Sequence, residues 1–311
     1  MKPNTFELIA PSARTKVLFV LFGELSDVIN AFPVVAALRK KFSSETVWLT
    51  SPRYAELARA SFADTVREAK QPGIMPWDWI HSEGFSHVFY PECGANVKEW
   101  SESGLHRIDF MGTKCGVELE TRQAWLEPGP YAVLQAEQFL NEQGLKRGCF
   151  LTASHMGAST KHWPHTNLMR VAKEIGMPVV VLGEKTDAEI PGTISCFGKP
   201  FQTIATLIRW SSFYIGPDSG ISWIATTTNT PMGVFMDPLR QEHLKVAFRE
   251  VLRREKDDVE EWGIYTSPDV VIQHIRNRIA DLGSPPEHAA PTVPNPKSEI
   301  RNLLLEDMPR G

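Results

Sequence analysis

The sequence predicts an α/β protein built from two Rossmann-like parallel-sheet lobes that face a cleft, and three observations carry that expectation. The chain has 311 residues, about twice the roughly 150 of a usual domain. Two apolar runs, residues 16–22 (KVLFVLF) and 178–182 (PVVVL), are continuous rather than alternating, as in strands covered on both faces of a parallel sheet. Strands and helical stretches then alternate in two series, the pattern of parallel sheets joined by crossovers.

The first fifteen residues are unpatterned. After the opening strand Gly23 breaks the run, Ser26 or Asp27 can cap a helix, and Val28, Ala31, Phe32, Val35 and Leu38 recur at helical spacing, with Pro33 marking a kink or a late start. Strands at residues 46–50 and 87–90 follow, with helical segments near 53–60, 104–114 and 131–142; residues 72–79 read ambiguously. The second series starts with a strand at 149–153 and a helix near 167–175, and reaches the strand at 178–182, which Gly183 ends. A helix at 202–210, a strand at 213–215, a helix at 221–228 and a strand at 232–235 complete it.

The boundary falls most naturally at 144–148. That gives a first, acceptor-binding lobe of residues 14–146, a second, donor-binding lobe of 147–267, a helix at 268–283 returning to the first lobe, and a disordered Pro-rich tail at 284–311. Residues 241–256 read as an amphipathic surface helix whose Lys245, Arg249, Arg253 and Arg254 are available to anionic lipid.

Composition removes several function classes. Hydrophobic residues at 42% and charged residues at 23% exclude collagen, coiled coil and wholesale disorder. A net charge of −4 supplies no global field for nucleic acid, so no nucleic-acid partner is expected. Cys93, Cys115, Cys149 and Cys196 match neither a zinc motif nor a disulfide framework, so they are expected to be reduced thiols of a cytoplasmic protein. No apolar run approaches the ~18 to 20 residues of a membrane span.

The common catalytic motifs are missing: no G-x-G-x-x-G, G-x-x-x-x-G-K-[ST], H-E-x-x-H, G-x-S-x-G or D-x-D. His155, His162 and His165 cluster at irregular spacing and read as polar loop residues, so no metal site is expected. Three loops remain. Residues 23–30 (GELSDVIN) put Asp27 at a strand's carboxyl end, either as a base for a substrate hydroxyl or as a helix cap. Residues 155–164 (HMGASTKHWP) carry Lys161, either a point charge for a phosphate or an exposed lysine beside an anchoring Trp163. Residues 213–225 (FYIGPDSGISWIA) end a strand and open a helix at Ser219, Gly220 and Ile221, either an anion site or a capped turn with Asp218 or Ser219 as N-cap.

Taken in order, these loops resemble glycosyltransferase family nine, the lipopolysaccharide heptosyltransferases. The likeness starts at Asp27, Asn30 and Pro33, similar to the family's S-x-x-G-D-h-h-x-x-x-P. It continues through Lys161-His162-Trp163-Pro164 (K-x-W-P), then Gly183 with Asp187 (G-x-x-x-E), and closes at Asp218-Ser219-Gly220-Ile221-Ser222 (D-[ST]-G-h-S-H), over residues 16–282. The resemblance implies a two-lobed GT-B fold and an inverting, metal-independent transfer of heptose from ADP-heptose to a lipopolysaccharide-type acceptor.

It implies Asp27 as general base, with Gly23, Ser26 and Asn30 on the acceptor side, and Lys161 against the donor diphosphate. Asp218 would hold sugar hydroxyls, the Ser219 and Gly220 amides the phosphates, and Asp187 the ribose, with Ser222 also on the donor side. No cofactor is implied beyond the nucleotide-sugar substrate. The partners would be that donor and a glycolipid or glycan acceptor, met by a cytoplasmic enzyme in peripheral contact with the inner membrane.

The chain departs from the family at three places. Ser26 stands for glycine, Trp223 for histidine, and residues 234–238 (VFMDP) lack the Gly-Pro-Thr before Asp-Pro. A non-catalytic or differently specific nucleotide-sugar-binding protein of the same fold, such as an epimerase, a hydrolase or a degenerate transferase, is the alternative.

Overall fold

The computed structural model describes residues 5–7, 16–42, 45–71, 73–155, 163–237 and 259–281. A short β1 (Thr5–Glu7) precedes β2 (Lys16–Leu21), the apolar run of the sequence. Helix α1 (Leu25–Phe42) runs unbroken through Pro33; all its residues from Asp27 to Val35 are buried, so packing offsets the amide that proline lacks. The first series continues with β3 (Glu45–Thr50), a 3-10 turn (Pro52–Tyr54), α2 (Ala55–Arg59), β4 (Thr65–Glu68), α3 (Trp77–Ser82), β5 (His87–Phe89), α4 (Val97–Ser103), α5 (Arg107–Lys114) and α6 (Pro130–Glu142). The second comprises β6 (Leu151–Ser154), α7 (His165–Glu174), β7 (Val179–Gly183), β8 (Ile194–Phe197), α8 (Phe201–Arg209), β9 (Phe213–Pro217), α9 (Gly220–Ala225), β10 (Met232–Met236), β11 (Val259–Gly263) and α10 (Pro268–Asp281).

Two sheets result. The first has the order β1-β5-β2-β3-β4, parallel except for β1, which runs antiparallel to β5. The second, β11-β10-β9-β6-β7-β8, is wholly parallel. Both faces are covered, as the apolar runs require: Val17, Phe19 and Leu21 of β2 pack towards α1, while Leu18 and Val20 pack with Ile80, Phe85 and Val88. Trp48 stands edge-on to Phe19 and Phe32, pairs worth about 0.5 to 1.5 kcal/mol each beyond their burial. One apolar cluster runs from β2 and α1 through α9 and α8 to Val180 and Leu182 of β7, so the lobes share a core.

Two expectations about domain organisation need correction. The helix at 268–283 does not return to the first lobe: α10 lies on α7, burying Val271, Ile272 and Ile275 with Leu168 and Val171. Arg170 holds Asp269, and Arg276 donates to the Glu174 carbonyl at 2.5 Å. Conversely α6, expected in the first lobe, packs on α8 of the second. Of its apolar stripe, Ala136, Phe139 and Leu140 share the core with Ile204, Ala205 and Ile208, and Thr203 donates to Gln135 Oε1 at 2.8 Å. The expected surface helix at 241–256 and the tail at 284–311 lie outside the described residues. Among those described, no helix is long and apolar enough to cross a membrane.

Candidate functional site

In each sheet the strand order reverses once, between β2 and β5 in the first and between β6 and β9 in the second. Neighbouring strands there send their connections to opposite faces, opening a crevice beyond their carboxyl ends where ligands of such folds bind. The turn after β2 carries Gly23 and Glu24 and leads into α1, where Asp27 lies, and the loop after β9 carries Asp218 and Ser219, so both adjoin strands at a switch point.

Asp27 is the third residue of α1. Its Oδ2 accepts from the Glu24 amide at 3.1 Å and its own amide donates to the Glu24 carbonyl at 2.9 Å, the back-bond of a capping box. Glycine is needed at 23 because a methyl group there would stand 2.4 Å from Asp27 Oδ2. The second oxygen, Oδ1, lies 3.3 Å from Arg107 Nη1, which also donates to Ser26 Oγ at 2.9 Å. Arg107 itself sits 5.0 Å over the Trp100 ring. Capping therefore uses one oxygen, and the other is paired with the Arg107 cation. Asn30, one turn on, is buried, and its Nδ2 has no partner among the described residues.

Residues that the sequence reading passed over complete this crevice. Tyr54 Oη donates to Glu24 Oε2 at 3.0 Å, and the Phe22 amide donates to Glu92 Oε2 at 3.2 Å. Burial, with the neighbouring Glu24, pushes the Tyr54 phenol up to about 12; burial and Glu92 do the same for Tyr90. Burial also raises the Glu92 carboxyl above its ordinary range, reinforced by the charges of Asp27 and Glu24.

In the second lobe Ser219 caps α9, its Oγ accepting from the Ser222 amide at 3.4 Å and lying 3.4 Å from Ser154 Oγ across the switch point. Ser222 is wholly buried; its hydroxyl bonds Tyr214 Oη at 2.7 Å and donates to the Pro217 carbonyl at 2.5 Å, so it braces the turn from beneath. Asp218 donates its amide to the Phe235 carbonyl at 3.1 Å, and its Oδ1 accepts from Trp223 Nε1 at 3.3 Å. The indole thus bonds one oxygen of the carboxylate expected to hold sugar hydroxyls.

Asp187 repeats the geometry of Asp27. Its Oδ2 accepts from the Glu184 amide at 2.7 Å, its amide donates to the Glu184 carbonyl at 3.1 Å, and a methyl group at Gly183 would again stand 2.4 Å from the carboxylate. Both turns read G-E-x-x-D, a local repeat visible in the sequence but not noticed there. His155 Nδ1 lies 3.7 Å from Asp187 Oδ1, and its ring meets His165 edge-on at 4.8 Å. Burial, aided by His155, lowers the His165 pKa. Lys161 lies outside the described residues. Its neighbour Trp163 is an anchor: fully buried, stacked on Phe235 at 4.3 Å, and donating to the Thr266 carbonyl at 2.8 Å. Among the described residues, no group of three or more His, Cys, Asp or Glu side chains is arranged to hold a metal ion.

The two half-sites meet. α1 packs against α9, and Gly220 fits because a methyl group there would stand 2.6 Å from Leu25 Cδ2. At the N-terminus of α5, Arg107 reaches Asp27 while His106, 6.3 Å ring to ring from Trp223, touches the residue that holds Asp218. Arg53 pairs with Glu184 at 2.6 Å, and the Tyr54 ring lies 6.0 Å from that of Phe201, so the strand-end loop after β3 touches the second lobe too.

Two doubly wound lobes with their switch points turned to a common interface define the GT-B class of fold. Solved structures with this architecture include the family 9 glycosyl transferase from Veillonella parvula (TM-score 0.69, 14% identity, 88% of this chain and 100% of that one covered). They also include an E. coli heptosyltransferase determined with ADP (0.55, 12%, 85% and 100%) and E. coli ADP-heptose lipopolysaccharide heptosyltransferase II (0.55, 12%, 86% and 99%). The fold is thus that of family 9 glycosyltransferases and heptosyltransferases. No protein-family model and no curated protein matches the sequence.

Proposed function

We propose that the chain is an inverting glycosyltransferase that moves heptose from ADP-heptose to a lipopolysaccharide-type glycolipid at the cytoplasmic face of the inner membrane. The observation that carries this reading is the abutment of α1 and α9, which sets Asp27 and the 218–220 turn at one inter-lobe face. In the reaction the acceptor oxygen attacks the anomeric carbon from the face opposite the diphosphate. Its proton passes to Asp27, and the bond from the anomeric carbon to the diphosphate oxygen breaks with its electron pair leaving on ADP.

Charge grows on the diphosphate, so donors already in place there lower the barrier most. The amides of Ser219 and Gly220 are assigned that role with Lys161, while Asp187 takes the ribose and Asp218 the sugar hydroxyls. Gly23, Ser26 and Asn30 shape the acceptor side, and the reading requires neither a metal nor a cofactor. A second reading, a nucleotide-sugar-binding protein of different donor specificity, is favoured by the Trp223 indole bonded to Asp218.

The test is transfer from ADP-heptose to a deacylated lipopolysaccharide core, followed by NMR of the new glycosidic linkage. Inverted configuration, with Asp27→Asn slower by about 10²-fold or more, supports the proposal. Retained configuration, or unchanged rates in Asp27→Asn, overturns it.

A further inference from the structure

The first-lobe crevice contains, besides Asp27 and Glu24, a further carboxylate whose placement is unusual. β2 last pairs with β3 at Leu21 and with β5 at Phe19, so the Phe22 amide lies beyond both ladders. Its acceptor is a side chain from across the switch point, Glu92 Oε2 at 3.2 Å. The Tyr90 phenol bonds the same carboxyl, and the Tyr90 ring lies 6.2 Å from that of Phe22. Glu92 thereby ties the end of β2 to the end of β5, one residue before the turn that presents Asp27.

We propose that Glu92 is a positioning residue for the reaction: its carboxylate fixes where the 23–27 turn leaves β2 and so holds Asp27 against the acceptor hydroxyl. The purpose of this device rests on the transferase reading; its existence does not.

A role in the fold alone would be served better by a neutral group. Glu92 faces Tyr90, Cys93, Glu24 and Asp27, while the Arg107 cation is directed to Asp27 and Cys93. Burial first, and then these carboxylates, raise its pKa in the fold. A carboxyl whose folded pKa lies above its unfolded one contributes stability below the unfolded value and loses it as pH rises through the folded value. Above its folded pKa the ionised Glu92 therefore costs stability, as groups placed for chemistry commonly do. In return a carboxylate accepts from the Phe22 amide and the Tyr90 phenol together, in charge-assisted bonds that a neutral amide would weaken.

Thermal unfolding between pH 4 and pH 8, amide hydrogen exchange across residues 22–27, and ADP release from ADP-heptose test the proposal on wild type, Glu92→Gln and Glu92→Ala. Glu92→Gln is expected to melt roughly 2 °C higher than wild type at pH 8, with the gain gone at pH 4, yet to release ADP about 10-fold more slowly. Glu92→Ala is expected to exchange residues 22–27 about 10-fold faster. A Glu92→Gln variant less stable than wild type at pH 8, or more stable with ADP release unchanged, overturns the proposal, as does unaltered exchange in Glu92→Ala. If the wild type releases no ADP, the transferase reading fails by itself, and the stability and exchange results still decide whether Glu92 positions the turn.

Discussion

Gly23→Ala probes the geometry of Asp27, the proposed base, directly. The glycine does not occupy the left-handed region, so alanine brings no backbone strain and acts only through its methyl group. That group would lie 2.4 Å from Asp27 Oδ2 and 2.9 Å from Asp27 Cβ, about 1 Å short of ordinary contact. The carboxylate must swing away by a comparable distance, breaking its bond to the Glu24 amide. Losing that cap bond costs about 1 kcal/mol. A 1 Å displacement of a reacting group costs about 10²-fold in rate, which makes the expected loss of transfer far larger than the loss of stability. The assay pairs a thermal melt with ADP release in the presence of acceptor. Gly183→Ala is the matched control: its methyl group meets Asp187 at the same 2.4 Å, and it should raise the KM for donor while leaving the acceptor step alone. Gly23→Ala with wild-type turnover would show that Asp27 is held for the helix and not for the reaction.

Other outcomes follow from the same structure. Trp163→Ala removes a fully buried indole that stacks on Phe235 and bonds the Thr266 carbonyl, and should lower stability by about 3 to 5 kcal/mol in denaturant titration. Glu99→Ala strips the partner, 2.7 Å away, from the buried Lys114 ammonium; about 2 kcal/mol is expected, below the loss for a fully buried pair because Glu99 reaches solvent. His165 has a lowered pKa in the fold, so the unfolded chain binds its proton first and stability should fall as pH drops below about 6.5. Melts of His165→Gln across that window should show a shallower fall. Arg107→Met frees Asp27 Oδ1 and Ser26 Oγ at once; kcat for transfer should fall more than donor affinity.

The central strands were legible because burial on both faces writes an apolar run, as in β2 and β7. The four strands that sequence reasoning missed, β1, β4, β8 and β11, are the four sheet edges. An edge strand is short and half-solvated, so Thr65–Glu68 and Val259–Gly263 carry polar and charged residues that blur the signal. The site divided similarly. Asp27 and the 218–220 turn were visible because they adjoin strong strands, whereas Glu92, Tyr54 and Arg107 reach the crevice only through sheet order and the packing of α5, which local spacing does not encode. Helix α10 was misplaced for a related reason: its amphipathic stripe says that it packs, and not on which lobe.

Central to the proposed reaction is a nucleotide-sugar donor bound at the second switch point, beside the proposed first-lobe base Asp27. Hydrogen exchange with and without ADP-heptose tests this most directly. Bound donor should slow exchange at residues 218–222 and 183–187, with residues 22–27 also protected through the contact of α1 with α9. Unchanged exchange at 218–222 with ADP-heptose at millimolar concentration would contradict it.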